Sequence, residues 1–153
     1  MNLRLLFRAS VIFVTILSLF IVLAPVAFGA TLVVTNLASL GPGTLRQALS
    51  DNLTLGGGNT IIFSNNVTGT ITLQGGLTVN APVTILGPGT NVLAISGNNI
   101  TRIFSVTVGP ALISGLTIRN GRVVESDGNQ MQNGGDAVGG GIFNQSTLTL
   151  SNC

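Results

Sequence analysis

Ile71-Thr72-Leu73, Leu77-Thr78-Val79 and Val83-Thr84-Ile85 decide how this chain reads. The same apolar-Thr-apolar triplet returns as Val106-Thr107-Val108, Leu116-Thr117-Ile118 and Leu148-Thr149-Leu150. In an extended strand, neighbouring side chains point to opposite faces. Each triplet therefore buries two apolar groups and turns Thr outward. Three residues are too few to hold an ordinary sheet. The same short strand repeated between Gly- and Asn-rich turns suits a stack of coils, each resting on the one before. Constant strands with uneven turns point to an all-β right-handed parallel β-helix of about four coils, the last incomplete.

The spacing gives a first register. Leu77 to Leu116 is 39 residues, read as two coils of about 20. Leu116 to Leu148 is 32, read as one coil plus an insertion. Asn80, Asn120 and Asn152 follow strands, where Asn tolerates left-handed backbone and its side chains can stack in a ladder. Ala111 to Ile118 reads as one strand. The insertion, Gly121 to Gly141, carries Glu125, Asp127, Asn129, Asn133 and Asp136 among glycines. These oxygens suit Ca²⁺, but they match neither the EF-hand nor the Gly-Gly-x-Gly-x-Asp repeat, and the stretch reads as a solvated loop.

Ahead of the coils, Thr31 to Thr35 reads as a strand and Gly41-Pro42-Gly43 as a turn. Thr44 and Gln47 have capping-box spacing, and Leu45, Ala48 and Leu49 form one apolar stripe. These predict a short helix from about Leu45 to Leu53, closed by Gly56-Gly57-Gly58 and placed to cap the stack.

Met1 to Arg8 is basic, Ala9 to Ala24 is apolar, and Ala27-Phe28-Gly29 offers the small residues of a cleavage site. This is the pattern of a secretory signal peptide, residues 1–29, with the cut between Gly29 and Ala30. The competing reading is an uncleaved anchor over Ala9 to Phe28. Residues 30–59 then form the strand and capping helix, and residues 60–153 the coils. The destination is the extracellular space, cell surface or outer membrane. The membrane is a partner only through an uncleaved signal.

Charged residues are 7% of the chain, against about 25% in ordinary domains. The bases are Arg4, Arg8, Arg46, Arg102, Arg119 and Arg122; the acids are Asp51, Glu125, Asp127 and Asp136. Without Arg4 and Arg8 the two signs balance, which excludes a basic nucleic-acid surface. The one cysteine, Cys153, has no partner for a disulfide and reads as a small buried residue. Asn52, Asn66, Asn99 and Asn144 begin Asn-x-Ser/Thr sequons, a pattern that a chain rich in these residues makes by chance.

Thr35-Asn36, then Gly41 to Leu49, then Asn59-Thr-Ile-Ile-Phe63 resemble the N-terminal, CSLREA-like module of large secreted bacterial β-helix proteins. Val83 to Gly89, Leu93 to Asn99, Arg102 to Phe104, Ile113 to Gly121 and Gly139 to Asn144 continue the resemblance. Relatives of that kind include polymorphic outer-membrane-like and adhesin-like surface proteins. Here Gly43-Thr-Leu-Arg-Gln-Ala48 replaces the Cys and Glu of the signature. The resemblance implies further coils after Cys153, so the chain reads as a fragment.

The enzymatic alternative is a truncated polysaccharide lyase or glycoside hydrolase of the pectate-lyase-like β-helix superfamily. A hydrolase needs two carboxylates across a cleft. Asp51 lies near the helix start, and the other three acids share one loop. There is no His, Trp or Tyr, which removes the common general base and the usual sugar-stacking rings. Phe63, Phe104 and Phe143 sit among apolar neighbours and read as core. Arg46 reads as a local structural residue, paired with Asp51, while Arg102 and Arg119 read as outward charges. The expectation is a structural or adhesive protein with no catalytic, cofactor-binding or metal-binding residues. Its partners would be cell surfaces, polysaccharides or proteins.

Overall fold

A computed structural model of the chain describes residues 29–123 and 139–153. The expected signal peptide, apart from Gly29, and the loop residues Glu125, Asp127, Asn129, Asn133 and Asp136 lie outside the described residues. Those described are mostly β. In chain order they form β1 (Thr31–Val34), α1 (Leu45–Thr54), β2 (Asn59–Phe63), β3 (Gly69–Thr72), β4 (Leu77–Val79), β5 (Val83–Leu86), β6 (Leu93–Ser96), β7 (Phe104–Val106), β8 (Ala111–Ser114), β9 (Thr117–Arg119), β10 (Ile142–Asn144) and β11 (Leu148–Ser151).

All strand pairs are parallel, and from β2 onward each strand pairs with the one three places later. Three sheets result: sheet A in the order β1-β2-β5-β8-β11, sheet B in the order β3-β6-β9, and sheet C in the order β4-β7-β10. This arrangement is compatible with the expected parallel β-helix. The step is longer than 20 residues. It is 24 from Ile61 to Ile85, 28 from Ile85 to Ile113, and 27 from Val79 to Val106.

The triplets that look alike are therefore not stacked on each other. Leu77 begins β4 of sheet C, Leu116 precedes β9 of sheet B, and Leu148 begins β11 of sheet A. The Asn ladder fails for the same reason, since Asn80, Asn120 and Asn152 end strands of three different sheets. Asn120 and Asn152 do take left-handed backbone, with φ of 55° and 51°. The segment from Ala111 to Ile118 is two strands, broken by the left-handed Gly115, φ 64°.

In-register pairing superposes like side chains. Inside sheet A, Leu32, Ile61, Ile85, Ile113 and Leu150 form one column. Inside sheet B, Ile71, Ile95 and Ile118 form another, and inside sheet C, Leu77, Phe104 and Ile142 a third. Ile61, Ile85, Ile95, Ile113 and Phe104 are fully buried. Each such side chain contributes about 1.5–3 kcal/mol from burial. Phe63 and Phe104 belong to this core as expected. Phe143 does not. It pairs with Ser105, one step of strand parity from the inward Ile142, and lies half-buried on the outer face.

Helix α1 follows the sequence closely. Thr44 is its N-cap, and its Oγ1 accepts from the Gln47 amide at 3.1 Å. The Gln47 side chain does not return to the cap; it donates to Asp51 Oδ1 at 2.7 Å. Leu45, Ala48 and Leu49 are buried, and α1 touches β1, β2 and β4.

The corner after β5 leaves no room for a side chain at Gly87. A Cβ on Gly87 would run into the Gly115 carbonyl oxygen and the Leu116 side chain of the following round. We expect Gly87→Ala to lower the melting temperature, by an overpacking cost of about 1–3 kcal/mol, in a thermal circular-dichroism scan. Leu116 is fully buried, so Leu116→Asp should abolish the β spectrum altogether. A soluble Leu116→Asp protein with an unchanged spectrum would overturn the inward assignment.

Candidate functional site

Arg46 is the basic residue nearest to the start of the stack, and its environment is a backbone clamp. Nε donates to the Ser39 carbonyl at 3.1 Å, Nη1 to the Gly76 carbonyl at 2.7 Å, and Nη2 to the Gly75 carbonyl. The expected partner, Asp51, is engaged by Gln47 instead. The planar fork of donors matches the divergent carbonyls better than one carboxylate would. Ser39 completes the contact, its Oγ accepting from the Gln74 amide at 3.0 Å. Burial lowers the Arg46 pKa from its ordinary high value, and the group stays a cation. Arg46 thus fastens α1 to the turn between β3 and β4.

A second polar knot lies beneath α1. Asn52 and Asn59 are both buried. Asn59 Nδ2 donates to Asn52 Oδ1 at 3.0 Å, and Asn52 Nδ2 donates to the Pro82 carbonyl at 3.1 Å. Asn59 Oδ1 accepts from the Ala30 amide at 2.7 Å. The Asn52 sequon is therefore closed to glycosylation in the folded chain, whereas Asn66, Asn99 and Asn144 are exposed.

The other two arginines expected to face outward do so differently. Arg102 is half-buried over the Phe143 ring, 4.6 Å from its centroid, with Nε donating to the Gly139 carbonyl at 2.9 Å. Arg119 is exposed, and its Nη2 donates to Thr70 Oγ1 at 2.9 Å across sheet B. Cys153 is exposed rather than buried, with Sγ 3.5 Å from the Ile113 carbonyl oxygen. Among the described residues no group of three or more acidic, Cys or His side chains is placed to hold a metal ion.

The outer face of sheet B holds a polar recess. Thr70 of β3, Ala94 of β6 and Thr117 of β9 stand in one register row. Ala94 occupies the middle place, where its neighbours carry Thr, so the row dips there. Thr90, Asn91 and Val92 form one wall, and Arg119 lies across from the next row. The wall is tied down at both ends: Thr117 Oγ1 donates to the Thr90 carbonyl at 2.9 Å, and the Gly69 amide donates to the Val92 carbonyl at 2.8 Å. The volume is about 230 Å³. The arrangement supplies a guanidinium and hydroxyls for hydrogen bonding, and none of the described residues lining it is a carboxylate.

Sequence reasoning nominated Arg119 only as a surface charge and did not single out Ala94 or Thr70. The pairing register brings them together. Compared with family models, curated proteins and solved structures, the chain matches none.

Replacing Arg46 with Gln should leave carbonyl groups of Ser39, Gly75 and Gly76 short of donors and destabilise the protein by about 1–3 kcal/mol, read from a denaturant titration. Arg46→Lys should recover little of the loss, because a point donor cannot reach all three carbonyls.

Proposed function

We propose that this chain is a secreted or cell-surface protein whose right-handed parallel β-helix, of about four coils with the last incomplete, serves a structural or adhesive role without catalysis. It is headed by a CSLREA-like module in which α1 caps the first coil. The observation that carries this reading is the parallel stack itself, in which strands recur in threes and present Thr and Ser outward. Such a stack offers a long rigid surface and grows by repetition, which suits contact with an extended partner such as a polysaccharide or a cell-surface protein. The chemistry of the surface supports contact over catalysis: among the described residues Asp51 is the sole carboxylate side chain, and Gln47 engages it.

Export by a signal peptide cut after Gly29 fits the position of Ala30. As the first residue after the cut, its nitrogen already donates to Asn59, and an ammonium there would keep the same acceptor.

The test is expression of the full chain in a bacterial host, followed by fractionation, N-terminal sequencing and binding to immobilised polysaccharides and whole cells. We expect the exported form to start at Ala30, to bind a surface saturably, and to release no unsaturated sugars from polyuronates. Retention in the cytoplasm would overturn the export reading, and steady release of unsaturated product would overturn the non-catalytic one. Replacing Glu125, Asp127 and Asp136 together with Asn should leave the melting temperature unchanged with or without Ca²⁺; a marked drop would mean that the loop binds the ion.

A further inference from the structure

We propose that the recess on the outer face of sheet B binds one carboxylate-bearing sugar unit, with Arg119 receiving the carboxylate. This rests on the contact-surface reading above for its choice of ligand, and adds to it a location and a chemistry.

The recess is a gap in an otherwise repeating row. Thr70 and Thr117 project their hydroxyls on either side, and the methyl of Ala94 forms the floor between them. Arg119 bridges two rounds of the stack, since Thr70, its hydrogen-bond partner, is 49 residues earlier in the chain. That bond uses one of five guanidinium N–H donors. Its other N–H groups meet no acceptor among the described residues, and none of the described residues lining the recess is acidic. Among the described residues, then, nothing offsets this charge, and a ligand would. A single planar fork favours a carboxylate, which it can bind through two parallel hydrogen bonds. A phosphate would ordinarily gather more than one cation, and Arg119 is the only charged residue among the described ones lining this recess.

The rest of the ligand is defined by what surrounds the cation. The Thr70 hydroxyl, the Asn91 amide and the Thr90 backbone are neutral hydrogen-bonding groups suited to sugar hydroxyls. None of the described residues lining the recess is aromatic, so a neutral sugar would lack the stacking that usually holds it. A volume of about 230 Å³ is below that of drug-sized pockets, which run from about 300 Å³ upward, so one ring fits and a longer chain would extend beyond it. The walls are fixed by backbone hydrogen bonds to the neighbouring rounds, so little ordering is left for the ligand to impose.

The experiment is calorimetric titration of the full chain with glucuronate, glucose, acetate and inorganic phosphate. The same titrations are made on Arg119→Gln and on Ala94→Met, which fills the floor without touching Arg119. Circular dichroism checks each fold. Glucuronate should bind saturably, and glucose, acetate and phosphate at least about tenfold more weakly. Each substitution should weaken glucuronate by at least about tenfold while leaving the β spectrum intact. Equal binding of acetate would show a bare anion contact and overturn the sugar assignment. Unchanged glucuronate binding in Ala94→Met would overturn the location, and no glucuronate binding by the parent would overturn the proposal. Surface binding by the parent that persists in Arg119→Gln would leave the adhesive reading standing while removing this recess from it.

Discussion

In-register parallel pairing is the constraint on which the rest depends. Once Ile61 lies over Ile85 and Ile85 over Ile113, every inward side chain is packed by its own counterpart, and every outward one stands beside its own counterpart. A charge placed inward would have no local partner and would meet apolar neighbours on both sides. A column of like charges outward would repel itself at strand spacing. The low charge content and the recurrent Thr are two sides of this one geometry: Thr is polar enough for the surface and β-branched enough for a strand.

Four of the five buried polar side chains among the described residues, Ser39, Thr44, Asn52 and Asn59, lie in or beside α1; the fifth is Ser96 of β6. Asn52 and Asn59 satisfy each other and reach the Ala30 amide and the Pro82 carbonyl. Arg46 and Ser39 join the chain before β2 to the turn after β3. These contacts link segments about 30 residues apart through side chains. They add to the backbone ladder between β1 and β2, so that α1, β1 and β2 are held by amides, a guanidinium and a hydroxyl as well as by strand pairing.

Most strands, the helix and the cap were legible in the sequence because each is a local pattern: alternation for the strands, a stripe at i, i+3 and i+4 for α1, and Thr44 three residues before Gln47. The exceptions are Ala111 to Ile118, which is two strands, and Val106-Thr107-Val108, of which only Val106 lies in β7. The register was not legible. Leu77, Leu116 and Leu148 look equivalent to a reader of triplets, yet they serve three sheets, because which triplet lies on which is fixed by corners of differing length. Phe143 shows the same limit on a smaller scale: its apolar neighbours suggested core, and one step of strand parity put it outside. Arg46 was recognised as structural, but its acceptors are backbone carbonyls, which leave no trace in side-chain identity. The recess on sheet B was hidden for a similar reason, since an alanine is informative only when it is known to stand between two threonines.

The segment between β9 and β10 has a consequence of its own. Val106 pairs with Val79 over a step of 27 residues and with Asn144 over a step of 38, yet the pairing of β7 with β10 keeps its register. Extra chain has been absorbed at one corner without cost to the rungs on either side, because closing a longer loop adds little entropy. The register of β7 with β10 is thus indifferent to the length of chain that joins β9 to β10: pairing fixes where that chain leaves and returns, and not what lies between.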